Sequence, residues 1–255
     1  MIVFPNAKIN IGLNIIEKRK DGFHNLESVF YPIADLYDVL EVVKNSENQL
    51  EFISSGITIS GDFNDNLCVK AFRLLQKDYP ISFVKIHLHK VIPIGAGLGG
   101  GSSDASFMLK VLNELFELNL TSNQLINYAR KLGSDCAFFI ENKPVYAYQK
   151  GDEFEEVALD LSSYAIKIEY PNIHIGTSEA YRGVIPIKST TNLKELIKSP
   201  IHNWKSTIKN DFEESIFHNH PKIKQLKEEM YKKGALYASM TGSGSAVYGI
   251  FKKQL

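Results

Sequence analysis

The chain has 255 residues, 44% of them hydrophobic, and its 29 Lys+Arg balance its 29 Asp+Glu to a formal net charge of zero. That length suits one large domain or two small ones with a real core, and the charge balance gives no general attraction to nucleic acid or to an anionic membrane. Cys68 and Cys136 lie far apart and outside any CxxC pattern, Met1–Pro5 lacks a charged leader region, and no stretch approaches the roughly 20 apolar residues that span a bilayer, so the expectation is a cytoplasmic protein with two reduced thiols.

In chain order, Met1–Ile16 alternates, with Ala7, Ile9, Ile11, Leu13 and Ile15 on one side and Lys8, Asn10, Gly12 and Asn14 on the other. This pattern predicts a half-buried strand with a polar face. Asp21-Gly22 reads as a hairpin turn. Strand-like runs follow at Leu26–Ile33, Val39–Val43 and Leu50–Ile59, then a helix over Asn66–Gln76 and another strand over Phe83–Ile92. After a glycine-rich segment, Ala105, Met108, Leu109, Leu112, Leu115 and Phe116 recur at helical spacing. Thr121 with Gln124 predicts a capping box, and Gly133 a helix end.

Lys150-Gly151-Asp152 reads as a turn between strand-like regions, and a domain boundary is placed there, giving an N-terminal domain over 1–150 and a C-terminal domain over 151–255. Ala165–Tyr170 alternates. Thr177–Arg182, Asn192–Lys198, Asn210–Phe217 and Pro221–Lys233 read as helices, and Ala235–Met240 and Ala246–Phe251 as strands. Strands mixed with helices, without strict βαβ alternation, predict an α+β fold.

The most informative segment is Pro93-Ile94-Gly95-Ala96-Gly97-Leu98-Gly99-Gly100-Gly101-Ser102-Ser103. It stands between an expected strand and an expected helix. Its five glycines let backbone N–H groups approach a bulky anion, and the helix start adds unpaired donors with a partial positive charge. Ser102 and Ser103 are expected to cap that helix and to offer hydroxyls to phosphate or a cation. No Gly-Lys-[Ser/Thr] follows, so the segment is not a Walker A loop. Gly95, Gly97 and Gly100 satisfy G-x-G-x-x-G, but the candidate ribose acid Glu117 falls inside the expected helix rather than at the end of a second strand. The H-R-D and D-F-G signatures of protein kinases are missing.

Pro93–Ser103 with Asp104 and Ala105 resembles the ATP loop of the GHMP kinases. Pro5–Asn10, Asp21–Leu26, Asp65–Leu67, Gly133–Asp135 and Met240–Ser245 resemble, in order, further motifs of the branch of that family whose acceptor is a cytidyl sugar alcohol. Cys136-Ala137 stands where the family often shows Val-Pro, and Phe23 where it usually shows tyrosine. The resemblance implies a two-domain GHMP-kinase-like fold, with an N-terminal ribosomal-S5-domain-2-like half and a C-terminal ferredoxin-like half. It also implies a kinase that phosphorylates a tertiary hydroxyl in the non-mevalonate isoprenoid route, using ATP and Mg2+.

Residue by residue, the resemblance makes Lys8 the cation for the γ-phosphate and Asp135 the acceptor of the substrate's hydroxyl proton. Taken alone, Lys8 also fits a solvated strand lysine, and Asp135 a plain helix cap. Asn66 is expected at adenine, or as the cap of the helix that it precedes. Asn10 is assigned to the acceptor side. His24 is assigned to the cytosine edge, with Phe23 and Tyr181 on either side of the ring and Thr177 opening the segment opposite. Helix packing is the other reading for Tyr181. Gly242 and Ser243, with Gly244, are expected at the acceptor end, or as a hairpin turn. Two other readings stay open: a GHMP-type kinase for a different alcohol, such as homoserine or mevalonate, and a module binding dinucleotides or RNA.

Overall fold

The computed structural model of the chain describes residues 1–47, 49–187 and 192–253. Chain order runs β1 (Ile2–Val3), β2 (Asn6–Lys18), β3 (His24–Tyr37), β4 (Val39–Lys44), β5 (Glu51–Gly56), α1 (Leu67–Asp78), β6 (Val84–Lys90), α2 (Gly100–Leu115), α3 (Ser122–Arg130) and α4 (Phe138–Glu141). It continues through β7 (Val145–Tyr148), β8 (Glu153–Glu156), β9 (Tyr164–Glu169), α5 (Thr177–Arg182), α6 (Leu193–Leu196), α7 (Ile201–Thr207), α8 (Glu213–Asn219), α9 (Pro221–Lys232), β10 (Tyr237–Met240) and β11 (Val247–Lys252).

These elements form two compact units, each discontinuous in sequence. The first comprises Met1–Lys8, Pro32–Ile94 and Gly99–Lys143, and the second Ile9–Tyr31, Gly95–Leu98 and Pro144–Leu255. Segments from before position 150 thus contribute to both units.

The first unit holds the sheet β1-β4-β6-β5, antiparallel except for the parallel β5–β6 pair. Along β6, Val84, Ile86 and Leu88 are buried while His87 and His89 are exposed, so the period-two pattern reads directly as burial. Lys90 breaks the pattern, being charged and buried. Helices α1 and α2 supply Val69, Phe72, Leu75, Met108, Leu109 and Leu112 to the core. Asn66 caps α1 by accepting from the Cys68 amide, and Thr121 with Gln124 forms the expected capping box on α3.

The second unit holds the sheet β10-β11-β9 and, from Ile9 of β2 and as far as Tyr31 of β3, the sheet β2-β3-β7-β8. Ser28 pairs with Ala147, and Tyr248 with Ile168. A core of Leu13, Ile15, Phe212, Ile216, Ile223, Met230, Met240 and Val247 joins strand and helix faces.

The polar face of β2 departs from expectation. Lys8 and Asn10 are 3% and 2% exposed, so both faces of the strand are buried there. Alternation registers which residues share a side, not whether polar neighbours await them inside. The caps on α2 also differ. Its N-cap is Gly99 in the left-handed region, with no side-chain cap, and Ser102 and Ser103 lie inside the first turn. The short α4 and α7 carry no helical period in sequence. Burial of Phe138, Phe139, Ile201 and Trp204 accompanies them instead.

Candidate active site

Within the first unit, Lys8 Nζ lies 3.2 Å from Asp135 Oδ2. Gly99, at φ 72°, turns the chain into α2, and a Cβ there would meet Lys8 Cγ and Cε at 3.1 Å. The lysine stem therefore lies directly against the cap of α2, where the first-turn amides have no intrahelical acceptor. Asp135 is held to the same helix by its neighbour: Ser106 Oγ on α2 is 2.6 Å from the Cys136 carbonyl and 2.9 Å from that of Ser102. Lys110 Nζ donates to the Phe139 carbonyl at 3.1 Å and adds a second tie between α2 and α4. Cation, carboxylate and helix start converge by this route.

Ser103 Oγ and Asp104 Oδ1 are buried without a hydrogen-bond partner. For the serine, which sits in the first turn of a helix that starts with glycines, an oxygen ligand of a hard cation or a donor to phosphate is the fitting use. Among the described residues, no group of three or more His, Cys, Asp or Glu side chains is placed to hold a metal ion.

The second unit gathers a different set. The Asn10 amide donates to Thr241 Oγ1 at 3.0 Å, and Asn10 Nδ2 to Ser28 Oγ at 2.9 Å. Thr241 Oγ1 is 3.1 Å from the Gly97 carbonyl. Gly97 has φ 77°, and a Cβ on it would fall 2.0 Å from the Thr241 carbonyl oxygen; one on Gly242 would fall 3.1 Å from Gly97 Cα. The two glycine segments, Gly95–Leu98 and Thr241–Gly244, are thus in backbone contact, which only glycine permits. Ser243 is half-buried beside them.

His24 stacks on Tyr181 with ring centroids 4.7 Å apart and an interplanar angle of 25°, and Tyr181 sets its edge against Phe212. Helix packing of Tyr181 and its meeting with His24 therefore hold together. Phe23 is 60% exposed, with Lys150 Nζ 5.5 Å from its ring centre. Thr177 begins α5 after the Gly176 cap. Burial lowers the His24 pKa from its usual 6.5, and Lys18 lowers it further, which favours the neutral ring.

Sequence reasoning assigned no role to Ser28, Thr241, Asp38, Lys90 or Asp104. Thr241 and Asp104 adjoin the glycine segments and were legible as neighbours; Asp38 stands in a strand junction with no motif around it.

Residues 66–143 match the family described as GHMP kinases N terminal domain, and residues 189–255 that described as GHMP kinases C terminal. A Bacteroides thetaiotaomicron protein named 4-diphosphocytidyl-2-C-methyl-D-erythritol kinase is 52% identical over 256 residues, covering 100% of this chain and 93% of its own. A Cytophaga hutchinsonii protein of the same name is 51% identical, covering 98% and 92%. Among solved structures, a 4-(cytidine 5'-diphospho)-2C-methyl-D-erythritol kinase superposes with TM-score 0.84 at 30% identity, over 98% of this chain and 90% of that one. A homoserine kinase from Cytophaga hutchinsonii shares the fold, with TM-score 0.70 at 16% identity over 98% and 86%.

Proposed function

The chain belongs to the GHMP kinases, among the 4-diphosphocytidyl-2-C-methyl-D-erythritol kinases, and is an ATP-dependent phosphotransferase; from that premise we propose how its own residues divide the work. The acceptor is the tertiary C2 hydroxyl of 4-diphosphocytidyl-2-C-methyl-D-erythritol, and the product enters the non-mevalonate route to isoprenoid precursors.

Phosphoryl transfer asks a protein chiefly for alignment and for neutralisation of charge on the moving group. Lys8 supplies a buried point charge at the γ-phosphate, and Asp135, 3.2 Å from it, orients the acceptor hydroxyl and takes its proton late in transfer. Gly99–Ser103 present first-turn amides of α2 to the phosphates, and Pro93–Leu98 lead into them. Mg2+ supplies charge neutralisation on the β- and γ-phosphates when bound, and the orphaned Ser103 hydroxyl would hold it. Asn66 is assigned to the adenine side as well as to its cap. His24 and Tyr181, with Phe23 and Thr177, are assigned to the cytidine moiety. Asn10, Gly242 and Ser243 are assigned to the sugar-alcohol end.

The observation that carries this reading is the Lys8–Asp135 contact against the glycine cap of α2, since it sets a cation and a carboxylate where a helix start can face a phosphate. ADP release with ATP, Mg2+ and the cytidyl sugar alcohol tests it. Release dependent on that acceptor is expected. Release only with homoserine or mevalonate would transfer the chain to another acceptor class.

A further inference from the structure

We propose that Asp38, Lys90 and Asp104 form a buried clamp that closes the two ends of the phosphate loop and so sets ATP affinity. The proposal rests on the reading of Pro93–Ser103 as the triphosphate loop. Lys90, at the end of β6, donates to Asp38 Oδ2 and, at 2.8 Å, to Asp104 Oδ2 on α2. Asp38 Oδ1 in turn accepts from the amides of Val91 and Ile92, at 2.6 and 2.8 Å. The backbone leading into the loop and the helix leaving it are thereby joined through one ammonium group. Gly100 completes the joint: a Cβ there would stand 2.8 Å from Lys90 Nζ and 2.9 Å from Ile92 Cγ2.

Two carboxylates and one amine, all at most 4% exposed, are a poor way to stabilise a core, because an apolar cluster of the same volume avoids the desolvation cost. What such a cluster offers instead is a fixed geometry, since each donor has a defined acceptor. Here the geometry fixed is that of the segments on either side of Pro93–Gly99. Asp104 is a positioning residue: it holds α2 in register with Val91 and Ile92 and touches no substrate. Burial, opposed by Lys90, raises its carboxyl to about 7, which fits a group kept for its place rather than for its charge.

The experiment compares Asp104→Ala with Asp104→Asn, measuring direct binding of a non-hydrolysable ATP analogue, KM for each substrate and kcat. The alanine variant is expected to weaken nucleotide binding and raise the KM for ATP by about tenfold or more, as misplacement by a fraction of an ångström does, with acceptor KM and saturated kcat within about threefold. Asparagine, which keeps an oxygen for Lys90, restores most of the loss. Unchanged nucleotide affinity in the alanine variant overturns the clamp, as does a fall in kcat with a matching rise in both KM values that tracks thermal stability. Failure of the wild-type enzyme to bind the analogue would instead reject the loop reading. If the alanine variant does not fold, amide exchange in the wild-type protein decides: the Val91 amide, on a residue 42% exposed, must be protected without nucleotide, and free exchange there refutes the clamp.

Discussion

Lys8 Nζ stands 3.2 Å from Asp135 Oδ2, and the two partners differ in solvation, with the lysine side chain 3% exposed and the aspartate 30%. The ammonium is enclosed by the protein while the carboxylate keeps a face open to solvent. Asp135→Asn preserves shape and removes the proposed proton acceptor. It is expected to lower kcat at least about 10²-fold while leaving the KM for ATP within about threefold. Steady-state kinetics on the purified variant check this, and near-normal turnover would remove Asp135 from the chemistry.

On the proposed assignment of His24 and Tyr181 to the cytidine moiety, their stack ties acceptor recognition to the protonation of His24. Burial, with Lys18, lowers the His24 pKa from its usual 6.5, so the neutral ring prevails at and above neutral pH and charging is pushed toward lower pH. Acceptor KM should be flat from neutral pH upward and rise on acidification, with the KM for ATP unaffected by this group. Tyr181→Ala should raise acceptor KM about tenfold or more, the loss of an aromatic platform being worth about 1–3 kcal/mol. An equal rise in the ATP KM would contradict the assignment.

Gly97 and Gly101 separate two uses of glycine in one loop. Gly97 has φ 77° and approaches the Thr241 carbonyl so closely that a Cβ would fall 2.0 Å away. Gly97→Ala should destabilise the protein by at least about 1–3 kcal/mol from backbone strain alone. Gly101 lies in α2, and its added Cβ would meet nothing nearer than Leu67 Cδ1 at 3.8 Å. Gly101→Ala should leave Tm unchanged or raise it by the equivalent of about 0.5–1 kcal/mol. It should still raise the KM for ATP if the phosphates approach that turn. A Gly101→Ala enzyme with wild-type ATP kinetics would show that they do not.

The raised carboxyl of Asp104 makes stability depend on pH. Its folded value of about 7 lies above the usual 3.8, so between those values the folded chain holds a proton that the unfolded chain has released. Stability contributed by this group therefore falls as pH rises toward 7 and levels off above it. Asp104→Asn removes the effect. The variant should gain on the wild type by about 2 kcal/mol between pH 5.5 and 8, at 1.36 kcal/mol per unit over the part of that range below 7. Denaturant melts at the two pH values measure it, and parallel curves would disprove it.

Much of the fold was legible because its signals are local. The period-two run of β6, the Asn66 cap, the Thr121–Gln124 box and the exact span of α5 are set by neighbouring residues. Helices α4 and α7 were not legible, since burial rather than period holds them. The serines of the glycine loop read as caps because Ser is a good one. Gly99 took that place because only a left-handed residue makes the turn, and the serines fell inside the helix.

The sequence alone placed a glycine-rich segment before a helix, with companion motifs in an order that resembles the GHMP kinases, and the expected chemistry came from that resemblance. Tertiary structure decided that the polar face of β2 is interior, that Lys8 meets Asp135, and that Asp38, Lys90 and Asp104 share one buried site. The physical reason is sequence distance. Lys8 and Asp135 are 127 positions apart (135 − 8), and burying a charge is tolerable only beside a partner that folding alone can deliver.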